Sequence, residues 1–284
     1  MSLLAALALG LVIGLSLGAL GGGGSILTVP ALVYVLHESS TAATTASLVI
    51  VGVTALAGSI GHARAGRVRW KAGIIFGVLG IPASYLGTAL NRTVNPHVLL
   101  LCFGALMIIA AAGMLLRTRS GSDQSAPAAA LARTGGSDSP GRYPSSSGTS
   151  ATTASRRGIE AAATTKMVLA ALLVGFLTGF LGVGGGFVIV PALVMVLAFP
   201  MPIAVGTSLL IIAINSAAAL TARTGQETFD WAVILQFTAA AILGSVAGKR
   251  VADKVSGPAL STAFAGLLVA VAVYVIAQSL LALR

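Results

Sequence analysis

The sequence predicts an all-α polytopic integral membrane protein made of two homologous, inverted repeats with helical hairpins broken by glycine. Three observations support this fold class: an apolar composition, one long register of self-similarity and two matched glycine clusters. Of the 284 residues, 56% are hydrophobic and 8% are charged. In a soluble domain roughly a quarter of all residues are charged. We therefore expect most of this chain to lie in the lipid bilayer.

The net charge of +10 does not indicate a nucleic-acid partner. The basic residues lie at the ends of apolar segments and in one central tract, without a basic helix face or interleaved aromatic residues. An excess of Lys and Arg in cytoplasmic loops gives the same total. The single cysteine, Cys102, rules out an internal disulfide and a cysteine-based metal site, and we expect no cofactor.

Ten apolar segments define the helices. They lie at about 2–20, 24–36, 41–60, 72–90, 97–116, 167–181, 186–198, 204–222, 232–247 and 259–283. A full span needs about 20 residues, so the two short segments, 24–36 and 186–198, are predicted as partial spans paired with their predecessors. This gives about eight transmembrane helices, or ten segments when partial spans are counted. No basic residue precedes Arg64, so the first segment is predicted to be retained rather than cleaved as a signal.

The tract at 117–166 separates the two membrane repeats, 1–116 and 167–284. It is rich in Ser, Gly, Ala and Pro and nearly free of large apolar residues. Such a composition cannot bury enough surface to fold. We therefore predict a flexible, cytoplasmic linker; a regulatory or partner-binding tail is the alternative.

The two repeats share one register. GALGGGGSILTVPALV at 18–33 and GFLGVGGGFVIVPALV at 179–194 are identical at ten of sixteen positions, at an offset of 161. The same offset pairs Ser47 with Ser208, Gly87 with Gly248 and Trp70 with Trp231. Apolar bias alone would give scattered matches, so the register indicates a duplication.

The loop charges predict that the repeats are inverted. Segment 61–71 carries a net charge of +4, whereas its counterpart 221–231 carries −1. The next connection reverses the difference, with +1 at 91–97 and +2 at 248–258. The positive-inside rule therefore places 61–71, 248–258 and the linker in the cytoplasm of a bacterial-type cell, and the protein in the inner membrane.

The glycine clusters are the candidate substrate site. In transporters with inverted repeats, broken helices meet near the midplane and present amide donors to the substrate. The absence of Cβ atoms lets a ligand approach the backbone, and the positive ends of the following helices favour an anion. The predicted anion-binding residues are Gly22, Gly23, Gly24 and Ser25 in the first repeat, with Gly184, Gly185 and Gly186 in the second. The alternative is that these glycines only allow tight helix packing. Pro30 and Pro191 are expected in the first turns of the helices that follow.

The next helix of each repeat adds polar groups to this candidate site. They are Ser47 in the first repeat and Thr207, Ser208 and Asn215 in the second, where Asn215 corresponds to Thr54. Polar side chains within a membrane span usually face the protein interior. These residues either line the substrate path or hydrogen-bond to neighbouring helices.

The sequence does not indicate an enzyme. It has no nucleophile–base pair, no histidine-rich metal motif and no phosphate-binding lysine after GGGGS.

No Asp, Glu, Lys or Arg lies deep within a predicted span, and proton relays normally use such residues. His62 is expected to be an interfacial residue at a helix end, with a pH-sensitive role as the alternative. Export of an anion down the membrane potential, about 2.3 kcal/mol per charge per 100 mV, therefore fits better than coupled uptake.

The motifs resemble those of the TauE/SafE family of sulfite exporters. The likeness rests on the two glycine–proline motifs, on AVGTSLLIIAINSAAAL at 204–220 and on the TARTG that follows. It covers both repeats and excludes the linker. The resemblance implies a permease for small sulfur-containing or organic anions such as sulfite or sulfoacetate, with export the commoner direction.

Other functional classes remain open at the level of sequence. A channel-like anion pore would use the same glycine breaks without alternating access. A non-transporting scaffold subunit of a membrane complex would use them only for folding. A cation carrier is disfavoured because no carboxylate lies within a predicted span.

Overall fold

The computed structural model describes residues 2–34, 40–91, 94, 96–123, 151–181, 186–221 and 231–281, and its regular structure there is entirely α-helical. The predicted all-α fold is confirmed. The described helices are α1 (Ser2–Leu20), α2 (Gly23–Tyr34), α3 (Ser40–Arg64), α4 (Trp70–Asn91), α5 (Pro96–Asp123), α6 (Ala151–Leu181), α7 (Gly186–Met195), α8 (Met201–Thr221), α9 (Trp231–Lys254) and α10 (Gly257–Leu281).

The helices are those of a polytopic membrane protein. Four described stretches are long and apolar enough to cross a bilayer: Thr45–Arg64, Trp70–Leu90, Met201–Thr221 and Gly257–Ala277. Shorter apolar stretches lie at Ala6–Leu20, Leu101–Arg117, Thr165–Phe180 and Gly186–Met195. Large apolar side chains such as Leu86 and Leu243 point outward and are more than two-thirds exposed, which suits contact with lipid.

The described parts of α2 and α7 are shorter than a membrane span. They contain 12 and 10 residues, or about 18 and 15 Å at 1.5 Å per residue, against a hydrocarbon core of about 30 Å. The prediction of partial spans is therefore confirmed for the described residues. The expected place of the prolines is wrong: Pro30 and Pro191 lie beyond the first turns of α2 and α7.

The helix contacts repeat in the two halves. Equivalent helices are α1 and α6, α2 and α7, α3 and α8, α4 and α9, and α5 and α10. Helix α1 packs against α9, and its equivalent α6 packs against α4, the equivalent of α9. Likewise α3 contacts α9 while α8 contacts α4, and α3 packs directly on α8. The structure thus preserves the duplication, with each half built into the other.

Equivalent helices run in opposite directions, so the repeats are inverted. Contacts between α3 and α8 run antiparallel: Gly52 meets Ser216, Gly58 meets Leu209 and His62 meets Gly206. Helices α1 and α9, which are not equivalent, run parallel: Gly10 meets Phe237, Gly14 meets Ala241 and Gly18 meets Ser245. A two-fold axis across the helix direction produces both relations.

Two connections predicted to share a membrane side do lie together. Helix α3 ends where Gly66 adopts a φ of 70°, and the following Arg67 forms an ion pair with Asp253. The connection 61–71 and the segment 248–258 are therefore on one side of the helix bundle.

The helices on either side of the predicted linker extend into it. Helix α5 continues to Asp123 and α6 begins at Ala151; residues 124–150 lie outside the described part of the chain. Arg117 donates hydrogen bonds to the carbonyl oxygens of Val194 and Met195. It thus satisfies the last carbonyl groups of α7, which have no partner within that helix.

Candidate anion site between the helix breaks

The first break is a sharp reversal between α1 and α2. The Gly21 amide donates to the Leu17 carbonyl oxygen at 2.8 Å, and Gly21 has a φ of 76°, a conformation that glycine adopts without a Cβ clash. The chain then doubles back, so that Gly24 packs directly on the backbone of α1 at Ile13 and Leu17. The predicted hairpin is therefore present in the first repeat.

The second break is described only from Gly186 onward. Residues 182–185, which include the predicted Gly184 and Gly185, lie outside the described part of the chain. Gly186 begins α7, and every residue from Gly186 to Val194 is buried. This helix therefore lies inside the protein, away from lipid.

The beginnings of α2 and α7 touch each other in the protein interior. A Cβ atom at Gly22 would overlap the Gly186 carbonyl oxygen. A Cβ atom at Gly186 would overlap Oγ of Ser25 and lie 3.2 Å from the Gly22 carbonyl oxygen. The structure thus brings together Gly22, Ser25 and Gly186, which the sequence places in different repeats.

Two hydroxyl groups at this junction are already used as donors. Ser208 lies beside the first break, with Oγ 2.5 Å from the position of a Cβ at Gly21. It donates to the Val205 carbonyl oxygen at 2.8 Å, and Ser25 donates to the Gly22 carbonyl oxygen at 2.7 Å. The backbone N–H groups in the first turn of α2 are further donors at this junction, because the first four N–H groups of a helix have no partner within it.

Gly23 and Gly24 face other neighbours than Gly22 does. A Cβ at Gly23 would lie 2.8 Å from a methyl group of Leu267 on α10, whereas Gly24 faces α1. They bring α2 close to its surrounding helices. A Cβ atom added at Gly23 or Gly24 would not point at Gly186.

The remaining predicted polar residues are distributed around α3 and α8. Ser47 is buried on α3, at the position equivalent to Ser208. Thr207 accepts a hydrogen bond from the Arg69 amide at 3.1 Å, so its hydroxyl serves the connection before α4. Nδ2 of Asn215 lies 4.0 Å from the position of a Cβ at Gly80 on α4, and its buried Oδ1 has no hydrogen-bond partner among the described residues.

One buried polar group near the site was not expected from the sequence. His62 lies in the last turn of α3, the helix end where it was expected, but its side chain is buried and only 1% exposed. Its Nε2 lies 3.1 Å from the Gly18 carbonyl oxygen, in the last turn of α1. Gly206, which lets α8 approach this side chain, is the sequence feature that could have indicated its burial.

Charged side chains lie above this histidine at the end of the bundle. Asp253 pairs with Lys249 at 2.7 Å and also with Arg67. The hydrogen bond from Lys249 lowers the pKa of the Asp253 carboxyl group below its ordinary value. The carboxylate is therefore charged at neutral pH and joins the connection after α3 to the end of α9.

Comparisons with known proteins agree with this architecture. The chain matches the family described as sulfite exporter TauE/SafE over residues 6–275. A probable membrane transporter protein of Xylella fastidiosa is 32% identical over 281 residues, covering 98% of this chain and 96% of the relative. The probable membrane transporter protein YunE of Bacillus subtilis is 26% identical over 261 residues, covering 89% and 90%. No solved structure shows a significant match. The chain therefore belongs to the sulfite exporter TauE/SafE family and is a membrane transporter.

Proposed function

We propose that this protein is a secondary transporter that exports small sulfur-containing or organic anions, such as sulfite or sulfoacetate, across the inner membrane. The observation that carries the proposal is the contact between the starts of α2 and α7 at Gly22 and Gly186. The first turn of α2 and the start of the described part of α7 converge there, and a helix N-terminus places partial positive charge and amide donors at its first turn. An anion is the ligand that such a junction favours.

The surrounding helices support an alternating-access mechanism. Helices α2 and α7 belong to opposite repeats, and each is held by helices of both halves. Because the repeats interlock, the moving units would be groups of helices drawn from both repeats, and their rocking would open the junction to one side and then to the other. The relatives named as probable membrane transporters and the family description support the same class of function.

The direction follows from charge and membrane potential. No carboxylate, amine or guanidinium group lies within the described spans at 70–90, 201–221 and 257–277 except at their ends. A bound anion therefore meets no fixed charge in these helices. With the cell interior negative, export of each negative charge gains about 2.3 kcal/mol per 100 mV.

Flux measurements in proteoliposomes test this proposal. Radiolabelled sulfite, sulfoacetate and sulfate are offered separately, with a potassium diffusion potential of either sign. We expect saturable flux of at least one of these anions, with a rate that follows the sign of the potential. Flux that never saturates would instead support an anion pore, and folded protein without flux of any of the three would contradict the proposal.

A further inference from the structure

His62 occupies a three-helix junction next to the first helix break. Its ring meets α1 at the Gly18 carbonyl oxygen, and its Cβ would be 3.0 Å from a Cβ placed at Gly206 on α8. On α9, Lys249 packs against Gly61, the neighbour of His62. The imidazole is therefore enclosed by α1, α8 and α9. Its partner on α1, Gly18, lies three residues before Gly21.

The hydrogen bond to Gly18 fixes which ring nitrogen carries hydrogen. A carbonyl oxygen only accepts, so Nε2 must be the donor, and the neutral ring then has its lone pair on Nδ1. Nδ1 is buried and has no hydrogen-bond partner among the described residues. This nitrogen is the basic atom of the ring and is the position that would take up a proton.

A second buried polar atom lies in the same junction. Oγ of Ser245 on α9 is 2.8 Å from the position of a Cβ at Gly58, one turn before His62 on α3. It also has no partner among the described residues. A buried polar atom without a partner costs about 1–3 kcal/mol, so both atoms would be stabilised by a polar partner such as water or a bound proton.

The ionisable groups facing this histidine come from two elements. The connection after α3 supplies Arg67, and α9 supplies Lys249 and Asp253. Helices α1 and α8 contain no ionisable side chain in their described residues, and Arg64 on α3 itself is exposed. The ion pairs of Asp253 with both cations offset one of their two positive charges.

The link to the helix break is direct. Gly18 is one of the last four residues of α1, whose carbonyl groups have no partner within the helix. His62 therefore caps the end of α1 from which the Gly21–Gly22 reversal begins. A cation at a helix C-terminus is favoured by the helix dipole, so protonation of the ring acts on the element that forms the anion site.

We propose that Nδ1 of His62 is a proton-binding site that couples anion transport to proton movement in the same direction. The proposal rests on the proposed anion-transport function and adds its coupling ion. The proton leaves a hydronium ion on one side, forms an N–H bond at Nδ1 while the anion is bound, and is released to water on the other side. The imidazolium offsets one charge of the anion, so a dianion such as sulfate or sulfoacetate still moves as a net negative charge and its flux still follows the membrane potential.

Accumulation driven by a pH gradient tests the coupling. Wild-type proteoliposomes are clamped at zero potential with potassium and valinomycin, loaded with a pH-sensitive dye, and offered radiolabelled sulfoacetate or sulfate. With the outside one pH unit more acidic, carriage of one proton per anion predicts about tenfold accumulation at equilibrium, since 1.4 kcal/mol corresponds to a factor of ten. Internal acidification should accompany uptake of the anion.

His62→Gln separates coupling from transport. Glutamine keeps an N–H donor for the Gly18 carbonyl oxygen but does not titrate. We expect exchange of labelled for unlabelled anion to persist while the pH-driven accumulation falls to about unity, from the tenfold factor above. The matched control is Ser59→Ala on the same helix, whose hydroxyl only donates to Leu56 and whose loss should leave accumulation unchanged.

The outcomes are distinct. Suppose that wild-type protein transports an anion, but that a pH gradient does not drive its accumulation and anion transport does not dissipate the gradient. The coupling proposal is then overturned, whether or not His62→Gln folds. Accumulation by His62→Gln equal to that of wild type would also overturn it, as would loss of exchange in a folded variant. If folded wild-type protein transports none of sulfite, sulfoacetate and sulfate, the proposed function itself fails.

Discussion

At the residue scale, the buried hydroxyl groups of the site are bound to their own helices. Ser25 and Ser208 each donate to a carbonyl oxygen three residues earlier, and Thr28 donates to one four residues earlier. Such local bonds compete with any other use of a hydroxyl. Sequence reasoning identified Ser25 and Ser208 as candidate site residues but not Thr28, and the orientations of all three depend on side-chain torsions that periodicity does not specify.

Thr207 gives a prediction at this scale. Its buried oxygen is the partner of the Arg69 amide at 3.1 Å, and Thr207→Val leaves that amide without an acceptor. The expected cost is about 1–3 kcal/mol of unfolding free energy, seen as a lower thermal midpoint in detergent. Thr262→Val is the control, because its exposed hydroxyl bonds only within α10; an equal shift in both variants would contradict the role given to Thr207.

At the scale of elements, small residues decide which helices meet. Gly10, Gly14 and Gly18 line the face of α1 that packs on α9, and Gly175 and Gly179 line the equivalent face of α6 against α4. Close approach of backbones at small residues is a main source of helix association in membranes. The sequence showed the helices and their breaks, since these depend on local apolar runs. It did not show that α1 would pair with α9, because that pairing joins segments of different repeats.

Gly14→Ala tests this packing. A Cβ at Gly14 would overlap the backbone of Ala241 on α9, so the helices must separate. Overpacking of this kind costs about 1–3 kcal/mol, measurable as a lower thermal midpoint. The control is Gly266→Ala on α10, where no atom lies within 4 Å of the added Cβ; a midpoint for Gly14→Ala at or above that of the control would show that α1 and α9 are not in close contact.

At the scale of the whole molecule, inversion of the repeats follows from the antiparallel contact of α3 with α8. The loop charges predicted the same relation independently. The side that faces the cytoplasm is still assigned by charge alone, and the long segment between the repeats is still assigned by composition. The orientation depends on how the chain is inserted into the membrane, and the conformation of the segment between the repeats depends on the surrounding solvent. Helix packing determines neither.

Cysteine labelling tests the orientation. In a Cys102→Ser background, single cysteines replace Ala65, Thr221 or Val251, all of which are exposed. In spheroplasts, a membrane-impermeant maleimide should label Thr221→Cys at once, and Ala65→Cys and Val251→Cys only after the membrane is opened. Labelling of positions 65 and 221 from the same side would contradict the inverted arrangement.

The central claim is that the anion binds where the two helix breaks meet, and the most direct measurement is anion exchange by Gly22→Ala beside Gly266→Ala. Both variants add one methyl group to a glycine of a membrane helix or its break, but only at Gly22 would it overlap the Gly186 carbonyl oxygen. In proteoliposomes with equal amounts of protein shown to be folded, we expect exchange of radiolabelled sulfoacetate or sulfite to fall at least about tenfold in Gly22→Ala, a loss of about 1.4 kcal/mol, and to stay at the wild-type rate in Gly266→Ala. Exchange by Gly22→Ala with wild-type rate and apparent affinity would place the anion site elsewhere.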